Sequence, residues 1–344
     1  MICSTVYPGD RRAMAEVDAL LEREGLRRDR NLDYTCALYG DDGQIAATGS
    51  CFGPTLRCLA VSSGRRGEGL LAQVVTHLIQ VQYERGNCHL FLCAKEPSAK
   101  FFTGLGFYEI ARVEGAMVFM ENRRDGFGRW LRELEKYRSS GTSAALVMNA
   151  NPFTLGHQYL AETAAARCGT LHIFLVSEEA SLVPFSVRRR LAEAGTAHLA
   201  NAVLHDSGPY IISRATFPSY FLPDEAAVIE SHARLDLTVF VRIARALGVT
   251  ERFVGEEPAS LVTGLYNRVM AGALPRVGIG CTVVPRREAG GAPISASTVR
   301  QYIRQGKAEA IRELVPPAVY EYFTGPEAEP VIERIRQAEN VVHY

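Results

Sequence analysis

The chain has 344 residues, 47% of them hydrophobic and 22% charged, a length and composition suited to two or three domains with sizeable cores. Lys plus Arg and Asp plus Glu number 38 each, giving a formal net charge of +0, so no global field draws the protein to nucleic acid or to an anionic membrane. Its longest strongly apolar stretches are strand-sized and the N-terminus lacks the apolar core of a signal peptide, so no membrane partner and a cytoplasmic location are expected.

In chain order, Met14, Val17, Leu20 and Leu21 recur at helical spacing within residues 11–24, and Gly25 can stop that helix. Residues 34–39 and 44–52 read as strands joined at Asp41-Asp42-Gly43, a hairpin turn, and residues 55–61 as a third strand. Arg66-Gly67-Glu68-Gly69 then precedes a helix over 70–85, residues 88–94 form another apolar strand, and Phe101-Phe102-Thr103-Gly104-Leu105-Gly106-Phe107 leads into a closing hairpin. A charged helical segment spans 130–138, and Ser139-Ser140-Gly141-Thr142-Ser143 is a short joint. The eight cysteines (Cys3, Cys36, Cys51, Cys58, Cys88, Cys93, Cys168 and Cys281) show no C-x-x-C pairing. Mostly inside apolar stretches, they are expected to be reduced and buried, with no zinc site.

The second half is organised around residues 144–165. Ala144 to Ala150 is a continuous apolar run, as in a strand buried on both faces of a parallel sheet, and Gln158 to Ala165 reads as a helix. Between them, Asn151-Pro152-Phe153-Thr154-Leu155-Gly156-His157 is a turn that aims backbone N–H groups and a positive dipole end above the strand's C-terminal edge. Gly156 would let a phosphate approach the backbone, and His157 on the first turn would face the same anion. Strands over 170–176, 202–205, 252–254 and 278–284 alternate with helices, one capped by Ser186 and one over 224–247, which argues for a parallel α/β sheet. Arg188, within Arg188-Arg189-Arg190, is a candidate phosphate contact. Gly255 at a strand's C-terminal end suits a nucleotide pocket, whereas Glu256 and Glu257 read as a solvated turn. Ile294-Ser295-Ala296-Ser297-Thr298-Val299-Arg300 opens a late helix with hydroxyls and a guanidinium, a second anion site.

Thr154-Leu155-Gly156-His157 after the first strand, with Ile294-Ser295-Ala296-Ser297-Thr298-Val299-Arg300 opening the late helix, resembles the paired motifs of the nucleotidyltransferase superfamily. In front of it, Arg66-Gly67-Glu68-Gly69 and Phe101-Phe102-x-x-Leu105-Gly106-Phe107 resemble the GCN5-related N-acetyltransferase fold. In that fold the Arg-Gly-x-Gly loop donates N–H groups to the pyrophosphate of coenzyme A. Here Leu71 stands where that pattern has Gly or Ala. The expected organisation is an acetyltransferase-like α+β domain (1–125), a helical linker (126–143), a Rossmann-like nucleotidyltransferase domain (144–325) and a C-terminal helical tail (326–344).

The motif order, together with residues 148–154, the run 210–221 that sets Arg214 among aromatics, residues 252–255 and residues 293–300, resembles the citrate lyase ligase family over nearly the whole chain. That resemblance implies an enzyme that activates acetate with ATP and acetylates a thiol. The thiol belongs to the dephospho-CoA-type prosthetic group on the acyl-carrier subunit of citrate lyase. It also implies Thr154, His157 and Arg300 as catalytic residues. Asn149, Asn151, Phe153, Gly156, Arg188, Gly255, Ser295 and Ser297 would lie around ATP, with Mg²⁺ as a bridge whose protein ligands the sequence does not identify. Arg66, Gly67 and Gly69 would bind the prosthetic group. Two other readings remain open: an adenylyltransferase with a phosphopantetheine-type acceptor, and a non-catalytic acyl-CoA or nucleotide sensor that docks on a partner.

Overall fold

The computed structural model describes residues 3–29, 31–212, 217–222, 224–256 and 261–339. They form two compact units, one of residues 1–130 and 218–238, the other of residues 131–217 and 239–344. The first unit therefore takes in a stretch from far along the chain, which nothing in the local sequence pattern announces. No described helix is long and apolar enough to cross a membrane.

The first unit is built on β1 (Cys3–Thr5), α1 (Arg11–Arg23), β2 (Tyr34–Tyr39), β3 (Ile45–Phe52), β4 (Thr55–Val61), α2 (Leu70–Glu84), β5 (Phe91–Lys95), α3 (Ala99–Gly104), β6 (Tyr108–Val113) and β7 (Met117–Glu121). The sheet order is β1-β2-β3-β4-β5-β7-β6, and every pairing is antiparallel except β4 with β5. The apolar stripe expected on α1 is real, with Val17, Leu20 and Leu21 buried. Helix α2 lies on the sheet through Leu70, Val74, Val75 and Leu78, all at most 2% exposed. Strands β4 and β5 pair only at Thr55 with Phe91 and at Leu56 with Leu92. Beyond that register they splay. This is the acetyltransferase-like α+β arrangement the sequence predicts.

Helix α4 (Gly126–Glu135) follows. It starts four residues earlier than the charged segment suggests, because Glu121 Oε1 accepts the Phe127 N–H at 2.7 Å and so anchors the first turn. The second unit contains β8 (Ser143–Met148), α5 (Leu155–Ala165), β9 (Thr170–Leu175), α6 (Phe185–Thr196), β10 (Ala202–Asp206), the C-terminal part of α7 (Glu225–Leu247), whose residues up to 238 belong to the first unit, β11 (Glu251–Gly255), α8 (Leu261–Ala273), β12 (Gly280–Val284), the short pair β13 (Glu288–Ala289) and β14 (Ala292–Pro293), α9 (Ala296–Arg304), α10 (Pro317–Thr324) and α11 (Glu329–Gln337). Five strands pair in the order β10-β9-β8-β11-β12, all parallel. The apolar run of β8 is explained by this central position, where Ala144, Ala145 and Leu146 are fully buried. Val331 and Ile335 of α11 belong to the same core as β8 and β9. Ser186 does not cap α6. Pro184 already holds the N-cap position with extended backbone, so Ser186 falls inside the first turn.

Candidate functional site

In the second sheet the chain runs outward from β8 in both directions, so β8 and β11 flank the point where strand order reverses. Open α/β sheets bind ligands outside the carboxyl ends of their strands at that point. The turn after β8 delivers α5 there. Ala150 adopts a left-handed backbone at φ +50, unusual without a glycine. Thr154 is the N-cap of α5, and its exchange with His157 is reciprocal: Thr154 Oγ1 accepts the His157 N–H at 3.4 Å, while the Thr154 N–H donates to His157 Nδ1 at 3.1 Å. Because Nδ1 accepts, the ring proton sits on Nε2, leaving that nitrogen a donor. Burial first, then the charges of Arg286 and Arg300, lowers the His157 pKa to about 4. The imidazole is therefore neutral near pH 7 and acts as a donor without charge.

Around it lies a small pocket of about 110 Å³ lined by Thr154, Gly156, His157, Gly255, Glu256 and Arg286 among others, room for a phosphate group but not for a whole nucleotide. A Cβ on Gly156 would meet the Ile294 carbonyl at 3.2 Å, so this glycine also brings α5 against the serine motif. Ser295 caps α9 by accepting the Thr298 N–H at 3.1 Å, and its hydroxyl bonds those of Ser297 and Thr298 at 2.8 Å each. The Arg300 guanidinium, 2% exposed, donates to the Asn151 carbonyl, and burial lowers its pKa to about 10. It ties the serine motif to the turn after β8.

Several expected ATP contacts have structural roles. Arg188 is fully buried and donates to the carbonyls of Val183, Asn149, Val176 and Glu178 and to Asn149 Oδ1, at 2.5–3.0 Å. Each of its three nitrogens has a partner in the protein, so the side chain ties the ends of β8 and β9 to the start of α6. Phe153 is also fully buried; its ring approaches within 2.4 Å of where a Gly195 Cβ would stand and stacks on His157 at 5.6 Å. Asn149 Nδ2 donates to Ser181 Oγ at 3.0 Å, and Asn151 Oδ1 accepts the Val183 N–H at 3.0 Å. Asn151 Nδ2 is buried without a partner among the described residues.

The sequence reading missed Arg286, which follows β12 at the pocket wall and donates through Nε to the Glu256 carbonyl at 2.8 Å. Its signal was positional: a cation just beyond the strand next to β11. Arg214 and Glu257 lie outside the described residues.

The first unit holds a larger cleft of about 660 Å³ where β4 and β5 splay. Arg66, Gly67, Gly69 and Leu71 line its rim. Gly67 and Gly69 have φ of +91 and +74, which only glycine adopts cheaply, and Gly69 starts α2 without any side-chain cap. Arg66 is paired with Glu24 at 2.5 Å. The inner wall includes Tyr220 and Phe221, which end the aromatic run 210–221 but carried no expected place in this cleft. The Tyr220 hydroxyl donates to the Cys93 carbonyl at 2.9 Å, and its own carbonyl accepts the Arg27 N–H at 2.9 Å.

Residues 143–323 match the family described as "Citrate lyase ligase C-terminal domain". The chain is 41% identical over 286 residues to the [citrate [pro-3S]-lyase] ligase of Klebsiella pneumoniae, covering 81% of this chain and 84% of that protein. It is 38% identical over 329 residues to the protein of the same name from Escherichia coli (strain K12), covering 94% and 93%. Among solved structures, an acyl-CoA N-acyltransferase from Pseudomonas aeruginosa is similar at 17% identity over 36% of this chain and 99% of that one, with a TM-score of 0.30.

Proposed function

The chain belongs to the citrate lyase ligase family, and from that premise we propose that it activates acetate with ATP and passes the acetyl group to the prosthetic thiol of the citrate lyase acyl-carrier subunit. In the first step an acetate oxygen bonds to the α-phosphorus of ATP as the bond from that phosphorus to the bridging oxygen breaks, releasing pyrophosphate. In the second the carrier thiolate attacks the acetyl carbon of acetyl-adenylate and AMP leaves. Acetate is already ionised at neutral pH, so no general base is needed; the site must position reactants and stabilise charge on the phosphates.

The observation that carries this reading is the His157 ring. Its Nδ1 is fixed by the Thr154 N–H, so its Nε2–H donor is held at the carboxyl edge of the sheet beside Arg286 and the start of α5. A neutral donor of this kind stabilises developing phosphoryl charge without a proton leaving or arriving. Arg286 supplies positive charge at the same wall. Thr154 and the Ser295–Ser297 cap hold the two helix starts, and Arg300 keeps them in register. Magnesium fits as an ion carried mainly by the phosphates of ATP, since Glu256 is the one carboxylate among the residues lining the pocket. Arg66, Gly67 and Gly69 would receive the pyrophosphate of the carrier's dephospho-CoA-type arm at the uncapped start of α2.

Exchange of labelled pyrophosphate into ATP tests the first step. Exchange that depends on acetate is expected. Exchange that requires phosphopantetheine instead would make the protein an adenylyltransferase of another kind, and ATP binding without exchange would make it a sensor.

A further inference from the structure

The first unit holds a cluster the acetate chemistry does not use. On β1 and β2, Thr5 pairs directly with Cys36 and Cys3 with Leu38. Side chains two residues apart on a strand share a face, so Cys3 and Cys36 stand on the same side of the sheet. Helix α2 brings His77 to that side. One ligand atom from each of Cys3, Cys36 and His77 lies within 4.8 Å of the other two, and this is the one such group among the described residues. Seventy-four positions separate the outer members, so no motif spacing in the sequence reveals them.

We propose that Cys3, Cys36 and His77 form a binding site for a thiophilic divalent cation, zinc foremost, that joins β1, β2 and α2. The donor set, two thiolates and one imidazole, is the one zinc prefers. Three atoms no more than 4.8 Å apart admit an ion within about 2.8 Å of each, so shifts of about half an ångström reach zinc–sulfur bonds of roughly 2.3 Å. The surroundings are those of a ligating histidine. His77 Nε2 is held by the Tyr34 hydroxyl at 2.7 Å, and that hydroxyl bonds Thr5 Oγ1 at 3.0 Å, which fixes the ring in the manner of an outer-shell partner. Cys36 is buried and Cys3 half-buried, so the site is shielded on one side and reachable on the other. Binding zinc as two thiolates displaces both thiol protons to solvent, with no change in oxidation state.

The test uses the whole chain, reduced and stripped of metal with a chelator. Zinc is titrated against a chromophoric chelator, and cobalt(II) serves as a spectroscopic probe for thiolate ligation. One equivalent of tightly bound zinc is expected, with a cobalt–thiolate charge-transfer band. Cys3→Ser and His77→Ala should each weaken binding by at least about tenfold and bleach that band while the circular dichroism stays native. Cys3 lies on a three-residue edge strand, so Cys3→Ser keeps the comparison interpretable if His77→Ala disturbs α2. Binding unchanged by Cys3→Ser would overturn the site. So would a fully reduced protein, its Cys3 and Cys36 confirmed as free thiols by mass spectrometry, that takes up no zinc.

Discussion

Both units present a helix start above a parallel strand pair, yet they prepare it in opposite ways. Helix α2 in the first unit begins at Gly69 with no side-chain cap, beside a cleft of about 660 Å³ lined largely by apolar residues. Helix α5 in the second begins at Thr154 with a reciprocal cap, beside a pocket of about 110 Å³. An uncapped start leaves first-turn N–H groups for a ligand to satisfy. A capped start has one such donor bonded internally, and the ligand must be met by what the cap itself turns outward, here His157 Nε2. The first arrangement suits holding a long, partly apolar molecule. The second suits gripping a few charged atoms in one orientation, as a reacting phosphate requires.

The sharpest way to break this contrast is His157→Ala, which removes the Nε2 donor together with the half of the cap that the imidazole supplies. The kcat for acetate-dependent pyrophosphate exchange should fall by roughly two to three powers of ten, the loss typical of one charge-stabilising donor. An unchanged kcat would leave His157 as a cap alone. Next in size is Arg300→Lys. It keeps a cation but loses the fork, and a buried donor removed from the Asn151 carbonyl costs on the order of 1–3 kcal/mol. Denaturant melts should show that loss along with reduced exchange; wild-type stability and rate would mean the tether between α9 and the turn is dispensable.

Acid should act on the second unit first. His172 Nδ1 and His205 Nε2 are hydrogen-bonded at 2.9 Å in its core, His172 Nε2 is buried without a partner, and burial lowers both pKa values to about 4. These histidines are neutral when folded, whereas the unfolded chain takes up protons below about pH 6.5. Stability is therefore lost as pH falls from about 6.5 to about 4. Hydrogen exchange at pH 7 and pH 5 should show β9 and β10 losing protection; equal protection at the two pH values would contradict the pairing. The smallest effect is expected from Arg66→Glu, which also places a second carboxylate beside Glu24. Pyrophosphate exchange should stay intact while the KM for the carrier subunit rises several-fold, about 1 kcal/mol. Normal transfer kinetics in the folded variant would remove the loop from carrier binding.

Local chemistry made much of this legible. The alternation of strands and helices, the turn after β8 and the serine-capped start of α9 are written in short stretches whose period and caps decide them. Long-range partners are not written there. Arg188 looks like any arginine on an amphipathic helix until four carbonyls converge on it. Phe153 sits in a motif beside the site, yet Gly195, more than forty residues on, supplies the hole that buries its ring. Arg286 gains meaning only from the strand it ends beside, and Cys3, Cys36 and His77 only from the face they share. Tyr220 was visible as part of an aromatic run, but its partner, the Cys93 carbonyl, is 127 residues away.

That last distance bears on how the protein is made. Residues 1–130 emerge from the ribosome well before residues 218–238, which complete the same compact unit. At about 5–20 residues per second, the intervening hundred or so residues take roughly 5–20 seconds. Through that interval the wall that Tyr220 and Phe221 will form is missing, and the apolar side chains of the splay between β4 and β5 face water. A gene fragment that ends before residue 218 would fix the nascent chain permanently in that state. A fragment of residues 1–130 alone should therefore be more prone to aggregate than the whole chain, and a cut between the halves is a poor place to divide this protein.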